Sequence, residues 1–184
     1  MTVTMNEMGD SVGRIDSPRQ VLFLDFDGVV HRLGALRTRR GITSASPSIK
    51  LFEFAPILAE FLEPYVHVEI VLSTSWVQAL GYQRARSALP APLREKVVGA
   101  TYHSKYFDAG TWPSTRRGLQ VLRYVWTHRL VRWLAIDDDI SGFGEYFSHV
   151  VRCDENLGLG DFETQKALRV RLAEQFERPD SRKK

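Results

Sequence analysis

Four apolar residues in a row, Val21-Leu22-Phe23-Leu24, stop abruptly at Asp25-Phe26-Asp27-Gly28. An unbroken apolar run of that length, closed by acidic and turn-forming residues, is the pattern of a strand buried on both faces. Such strands belong to parallel sheets with helices packed on either side. The same abrupt ending returns twice. Val66 to Leu72 reads as a second buried strand that stops at Ser73-Thr74-Ser75, and Trp133-Leu134-Ala135-Ile136 as a third that stops at Asp137-Asp138-Asp139.

Helical patterns fill the intervals. Pro56 opens a helix through Glu63, at a first-turn position where a missing N–H costs nothing, with Leu58, Phe61 and Leu62 as its apolar side. Trp76 to Ser87 predicts a further helix, with Pro90 and Pro92 as breakers after it; Val97-Val98 predicts a short strand. Ser114 is a suitable N-cap for a helix running to about His128, with Leu119, Leu122 and Trp126 at helical spacing. His149-Val150-Val151-Arg152 predicts the last strand. Asp161 caps a final helix in which Leu168, Leu172 and Phe176 recur every fourth residue. Alternation of this kind implies right-handed crossovers and an α/β fold: a Rossmann-like three-layer sandwich around a mostly parallel sheet. Ligands of such sheets bind beyond the carboxyl ends of the strands. Asp25, Asp27, Ser73, Thr74, Asp137 and Asp138 are therefore expected along one edge.

Composition narrows the class. The 184 residues are 43% hydrophobic and 26% charged, as in an ordinary globular domain. No apolar run approaches the roughly 20 residues a membrane-spanning helix needs, so no membrane partner is expected. The polar stretch from Met1 to Gln20 has no signal-type apolar segment, and Cys153 as the single cysteine cannot form an intramolecular disulfide, which points to a reducing cytoplasm. The expected organisation is a leader over residues 1–19, one domain over 20–177 and a charged tail over 178–184. Net charge is only +3, but His31 to Phe52 carries Arg32, Arg37, Arg39, Arg40 and Lys50 with no acid, and Ala109 to Ile136 carries five arginines with none. Such runs are read either as solvated faces or as a surface for an anionic substrate.

Carboxylates gathered at one sheet edge repel, because like charges a few ångströms apart resist joint ionisation. A hard divalent cation with oxygen ligands offsets this, and magnesium suits a site of one or two carboxylates, water and a substrate phosphate. Each motif alone also has a plainer reading. Asp-x-Asp is turn chemistry, a triple acidic run is a loop, and Ser-Thr after a strand is a helix cap. The four tryptophans read as core or interface rather than base-stacking platforms. The five histidines show no metal-ligand spacing, His103 reads as a surface residue, and Cys153 as buried packing.

Taken together and in this order, the motifs resemble those of the haloacid dehalogenase (HAD) superfamily. Val21 to Val30 resembles its first motif, hydrophobics followed by Asp-x-Asp-Gly. Ile70-Val71-Leu72-Ser73 resembles the second, and Trp133 to Asp138 the fourth, hydrophobics followed by paired aspartates. The third motif, a lone Lys or Arg on the helix before the fourth-motif strand, matches Arg117, with Arg116 and Lys105 as competitors. Leu72-Ser73-Thr74-Ser75-Trp76 and Leu157-Gly158-Leu159 resemble a small, capless branch, some members of which occur in multidomain RNA-repair proteins. The resemblance implies a Mg²⁺-dependent phosphohydrolase. Asp25 would be the nucleophile that becomes an aspartyl-phosphate, Asp27 the general acid and base, Ser73 a phosphoryl-oxygen donor and Arg117 the stabiliser of charge. Gly28, Thr74 and Arg116 would lie beside the substrate, and Asp25, Asp27 (through its backbone carbonyl), Asp137 and Asp138 would serve the metal. Arginine at the third motif presents a planar fork in place of a lysine's point charge.

The short connections from Val30 to Ser73 and from Ser73 to Arg117 leave little for a separate cap. An uncapped site is open, and the resemblance to capless relatives implies a large substrate, a nucleic-acid end or another large phosphoester, with the segment from His31 to Lys50 as a flap meeting a polyanion. Two rival readings share the sequence: a non-catalytic nucleic-acid or protein-binding module, and a phosphatase of a small phosphometabolite.

Overall fold

The computed structural model describes residues 18–104 and 111–177. The tail over 178–184 and all but the last two residues of the expected leader lie outside the described residues, as does Lys105.

Strand β1 (Gln20–Leu24) leads into a two-stranded hairpin, β2 (Ala35–Thr38) and β3 (Gly41–Ser44), then helix α1 (Ala55–Leu62) and strand β4 (Val68–Leu72). Three short helices come next, α2 (Ser75–Leu80), α3 (Tyr82–Ala88) and α4 (Ala91–Arg94), before strand β5 (Val97–Ala100). Helix α5 (Arg117–Thr127), strand β6 (Arg132–Asp137), strand β7 (Val150–Arg152) and helix α6 (Phe162–Phe176) complete the chain. The main sheet has the order β5-β4-β1-β6-β7, and every pairing in it is parallel.

The apolar runs explain the three layers. In β1 successive side chains point to opposite faces, so a run apolar at every position seals both. Leu22 and Leu24 pack into one core with α1, α2, α3 and α6, contributed by Leu58, Leu62, Trp76, Ala85, Leu168 and Leu172. Val21 and Phe23 pack into a second core with Val121, Leu122 and Val125 of α5. Residues Val21 to Leu24 are wholly buried, and each such side chain contributes roughly 1.5–3 kcal/mol relative to exposure. The sheet is therefore covered on both faces, as the sequence predicts.

Three local expectations change. The helix predicted over Trp76 to Ser87 is divided at Gly81, where φ is +86° and the chain turns between α2 and α3. Ser114 does not cap α5. It ends a 3₁₀ turn, Trp112–Ser114, and its hydroxyl donates to the Thr111 carbonyl at 2.7 Å. The basic segment after His31 contains a hairpin that its weak alternation does not reveal, with Arg37, Arg39 and Arg40 all exposed. This hairpin is an insertion between β1 and α1.

Candidate active site

Strand β1 is central, and the chain leaves it for β4 and β5 on one side and returns to β6 and β7 on the other. The reversal opens a crevice beyond the carboxyl end of β1. Hydrogen bonds continue past the strand ends and fix what meets there. Asp25 N–H donates to Ile136 O at 3.2 Å, Ser73 N–H to Leu24 O at 2.8 Å, and Cys153 N–H to Asp137 O at 3.0 Å. Asp25 is 4% exposed, Ser73 1% and Asp137 1%. Oxygen atoms of Asp25, Asp137 and Asp138 all lie within 4.8 Å of one another.

One cation is built into this cluster. Arg117 Nη2 donates to Asp25 Oδ2 at 3.3 Å, and its Nε lies 3.2 Å from Asp137 Oδ2. The second contact is out of hydrogen-bond alignment, since Nε makes no hydrogen bond, so it is charge pairing alone. Two features aim the guanidinium. Gly118 donates its N–H to Ser141 O at 2.7 Å, and a Cβ on Gly118 would fall 2.2 Å from Phe143 N. Only glycine lets the start of α5 lie so close to the loop after β6. The buried Gln120 accepts from Arg117 Nη1 at 3.3 Å while its amide donates to Thr115 O at 2.8 Å, tying the arginine to the turn before the helix.

The electrostatics are lopsided. Burial pushes the Asp25 carboxyl up to about 6, and the charges of Asp138 and Asp27 act the same way, against the Arg117 guanidinium and the Phe26 amide. Burial, and then the charge of Asp25, holds Asp137 well above the usual carboxylate range, and burial also raises Asp138. Burial opposes the charge of Arg117, but the surrounding aspartates outweigh it and raise its pKa. The ion pairs do not lower the carboxyls as an exposed pair would, because burial outweighs them and one guanidinium is shared among several acids.

Asp27 faces elsewhere. Trp76 Nε1 donates to its Oδ2 at 2.8 Å, and His31 Nε2 lies 3.2 Å from its Oδ1. Its side chain is therefore not part of the three-carboxylate cluster. Gly28 has φ +70°, and a Cβ there would lie 2.8 Å from the Asp138 carboxyl carbon, so this turn requires glycine to pass Asp138. Ser73 Oγ is buried and has no hydrogen-bond partner. Thr74 caps α2, accepting from Trp76 N–H at 3.4 Å. Of the third-motif competitors, Arg117 reaches the carboxylates. Arg116 precedes it as the N-cap residue of α5, exposed, with no ion pair among the described residues.

The donor set fits a hard divalent cation. Asp25, Asp137 and Asp138 offer only oxygen, in a buried cluster whose negative charge exceeds what Arg117 neutralises. The unpartnered Ser73 hydroxyl at the same edge suits an anionic oxygen of a ligand.

Three residues at the site are not evident from sequence. Trp76 reads as core, and is 3% exposed, yet its indole N–H serves Asp27. His31 stands four residues after Asp27 on the same turn, and that spacing is the available signal. Gln120 sits one helical turn after Arg117, where an i+3 neighbour would be sought.

Residues 21–163, well over half of the chain, match the family model described as the HAD domain in Swiss Army Knife RNA repair proteins. No curated protein and no solved structure matches the chain significantly. Among the described residues no helix is long and apolar enough to cross a membrane.

Proposed function

Because this chain belongs to the HAD superfamily, in the family of HAD domains of Swiss Army Knife RNA repair proteins, we propose that it is a Mg²⁺-dependent phosphomonoester hydrolase. The observation that carries this reading is the meeting of Asp25, Asp137, Asp138 and Arg117 in one buried cluster at the switch point of the sheet.

Asp25 is the nucleophile. Its Oδ attacks phosphorus, forming an aspartyl-phosphate and dividing one hard substitution into two easier ones. Asp27 gives a proton to the leaving oxygen and later takes one from the hydrolytic water, work worth typically ~100 to 10,000-fold. Arg117 stabilises charge on the nucleophile and the transferring group, where phosphoryl transfer concentrates its electrostatic demand. The Ser73 hydroxyl donates to a phosphoryl oxygen. Gly28, Thr74 and the exposed Arg116 are the residues we assign to the substrate beside it. The carboxylates of Asp25, Asp137 and Asp138 and the backbone carbonyl of Asp27 would hold Mg²⁺, which when bound screens the phosphate from the carboxylates.

The substrate is a large phosphoester, in our reading a nucleic-acid end. The exposed Arg37, Arg39 and Arg40 on the β2–β3 hairpin support this over a small phosphometabolite, as does the family description. Hydrolysis of a generic aryl phosphate with Mg²⁺, followed by a panel of sugar phosphates, nucleotides and phosphorylated oligonucleotides, tests both parts. Wild-type activity in Asp25→Asn would remove Asp25 from the mechanism, whereas no hydrolysis of any ester together with salt-sensitive oligonucleotide binding that survives Asp25→Asn would favour a non-catalytic binding module.

A further inference from the structure

Asp27 differs from the other carboxylates of the site in what surrounds it. Its Oδ2 accepts from Trp76 Nε1 at 2.8 Å, and its Oδ1 lies 3.2 Å from His31 Nε2. While Asp27 is ionised its carboxylate only accepts, so the imidazole nitrogen facing it then carries the proton. His31 Nδ1 is buried without a partner, and a bare lone pair tolerates that better than an N–H does. The hydrogen-bond network thus assigns the tautomer protonated at Nε2.

Neither donor can swing away. His31 is 0% exposed and Trp76 3%. The Phe52 ring lies 5.2 Å from His31 and 5.4 Å from Trp76, and Phe26 lies 5.4 Å from Trp76, all edge-on. Phe52 itself has φ +61°, a left-handed backbone that a bulky L-residue adopts only when its surroundings impose it. The aromatic cage is closed at the cost of local strain, and what it encloses is the pair of N–H groups on Asp27.

We propose that His31 and Trp76 are positioning residues for Asp27, two caged donors that fix the plane of its carboxyl group toward the leaving oxygen. This rests on the reading of Asp27 as the acid and base of phosphoester hydrolysis. In the first step Asp25 Oδ bonds to phosphorus, the bond from phosphorus to the leaving oxygen breaks, and the Asp27 carboxyl proton passes to that oxygen. In the second a water oxygen bonds to phosphorus, its proton passes to Asp27, and the bond from phosphorus to Asp25 breaks. Each caged donor occupies one lone pair on one oxygen and leaves the others for the moving proton. A misplacement on the order of 1 Å at such a group costs roughly 100-fold.

The experiment compares kcat/KM, which reports only steps through phosphoryl transfer, for an alkyl phosphate and for dinitrophenyl phosphate, with Mg²⁺ present. An alkoxide leaves only with a proton, whereas dinitrophenolate leaves without one. Trp76→Phe keeps an aromatic ring and loses the N–H, His31→Leu loses the donor, and His31→Gln keeps an N–H close to the place of Nε2. Trp76→Phe and His31→Leu should each lower kcat/KM for the alkyl ester roughly 10- to 100-fold while leaving the dinitrophenyl ester nearly unchanged, with most of the loss restored in His31→Gln. Asp27→Asn should show the same bias more strongly. Equal losses on both esters, or none on the alkyl ester, overturn the proposal, and because the two donors are varied separately, a variant that fails to fold leaves the other to decide. Wild-type protein that hydrolyses neither ester would instead bring down the phosphatase reading, and this proposal with it.

Discussion

Replacing Asp25 with asparagine removes one buried charge and leaves the side chain's size and shape almost untouched. In the folded protein burial pushes the Asp25 carboxyl up to about 6, against about 3.9 for an aspartate in an unfolded chain. That gap of roughly two units is worth about 3 kcal/mol at 1.36 kcal/mol per unit. The folded state binds this proton more tightly than the unfolded state does. The stability it contributes is therefore fully present below about pH 4 and lost as pH rises through about 6. Above that, metal-free protein folds with an ionised Asp25 in surroundings that favour its neutral form, even with Arg117 Nη2 at 3.3 Å. Asparagine carries no such cost.

Urea denaturation in chelator, from about pH 4.5 to about pH 8, measures the difference between the two proteins and cancels the groups that do not interact with position 25. Asp25→Asn should be the more stable by up to about 3 kcal/mol at the alkaline end, with the gap closing toward the acidic end. Asp137, which the charge of Asp25 helps to raise, acts in the same direction, while the asparagine NH2, turned toward either Phe26 N–H or Arg117 Nη2, acts against it. Magnesium should then stabilise the wild type more than the variant, by mass action on the folded state. If the two stabilities run parallel across the range, or the wild type is the more stable at about pH 8, the reasoning from burial and shared charge is wrong.

Gly118→Ala would place a Cβ 2.2 Å from Phe143 N and 2.3 Å from the Gly142 carbonyl carbon, both backbone atoms that cannot rotate aside. A loss of about 1–3 kcal/mol or more in urea unfolding is expected, and phosphatase activity should fall further than stability alone explains, because Arg117 moves with the helix start. Changing Arg37, Arg39 and Arg40 together to glutamate should weaken oligonucleotide binding and flatten its dependence on salt. Hydrolysis of a small aryl phosphate should stay at the wild-type rate, and equal losses on both substrates would place the hairpin in the chemistry rather than in binding.

The sheet and its edge are legible because burial on both faces leaves a signature in single residues. Val21 to Leu24 and Trp133 to Ile136 are apolar at every position, and a polar cluster closes each run. Those endings, with the one that closes Ile70 to Leu72, place Asp25, Ser73 and Asp137 on one edge. Arg117 is legible only as a position in an order, since nothing in Ser114-Thr115-Arg116-Arg117 distinguishes the two arginines until Gly118 and Gln120 fix which one turns inward. The start of α5 departs from expectation for a related reason. Serine is a good cap wherever a helix begins, but Ser114 spends its hydroxyl on Thr111, and the buried amide of Gln120 serves the turn instead. The β2–β3 hairpin leaves no clear alternation because its strands are four residues long and one carries mostly exposed side chains. Trp76 reads as packing, and it does pack, as does His31. Their second task depends on which way an N–H points, and composition and periodicity do not encode that.

Asp25 and Asp27 are two residues apart, yet they meet opposite kinds of partner, and the sandwich explains why. In a continuing strand they would share a face, but the chain leaves β1 after Leu24 and turns at Gly28. Asp25 then meets Arg117, which α5 brings from the layer over Val21 and Phe23. Asp27 meets Trp76 of α2, in the opposite layer over Leu22 and Leu24. One layer supplies a cation, which suits the attack on phosphorus proposed for Asp25. The other supplies ring N–H groups in an apolar cage, which suits the proton transfers proposed for Asp27. A single layer could not offer both, because a guanidinium placed among Phe26, Phe52 and Trp76 would be desolvated with only Asp27 to offset it. The two proposed roles can sit two residues apart because the sheet stands between their supports.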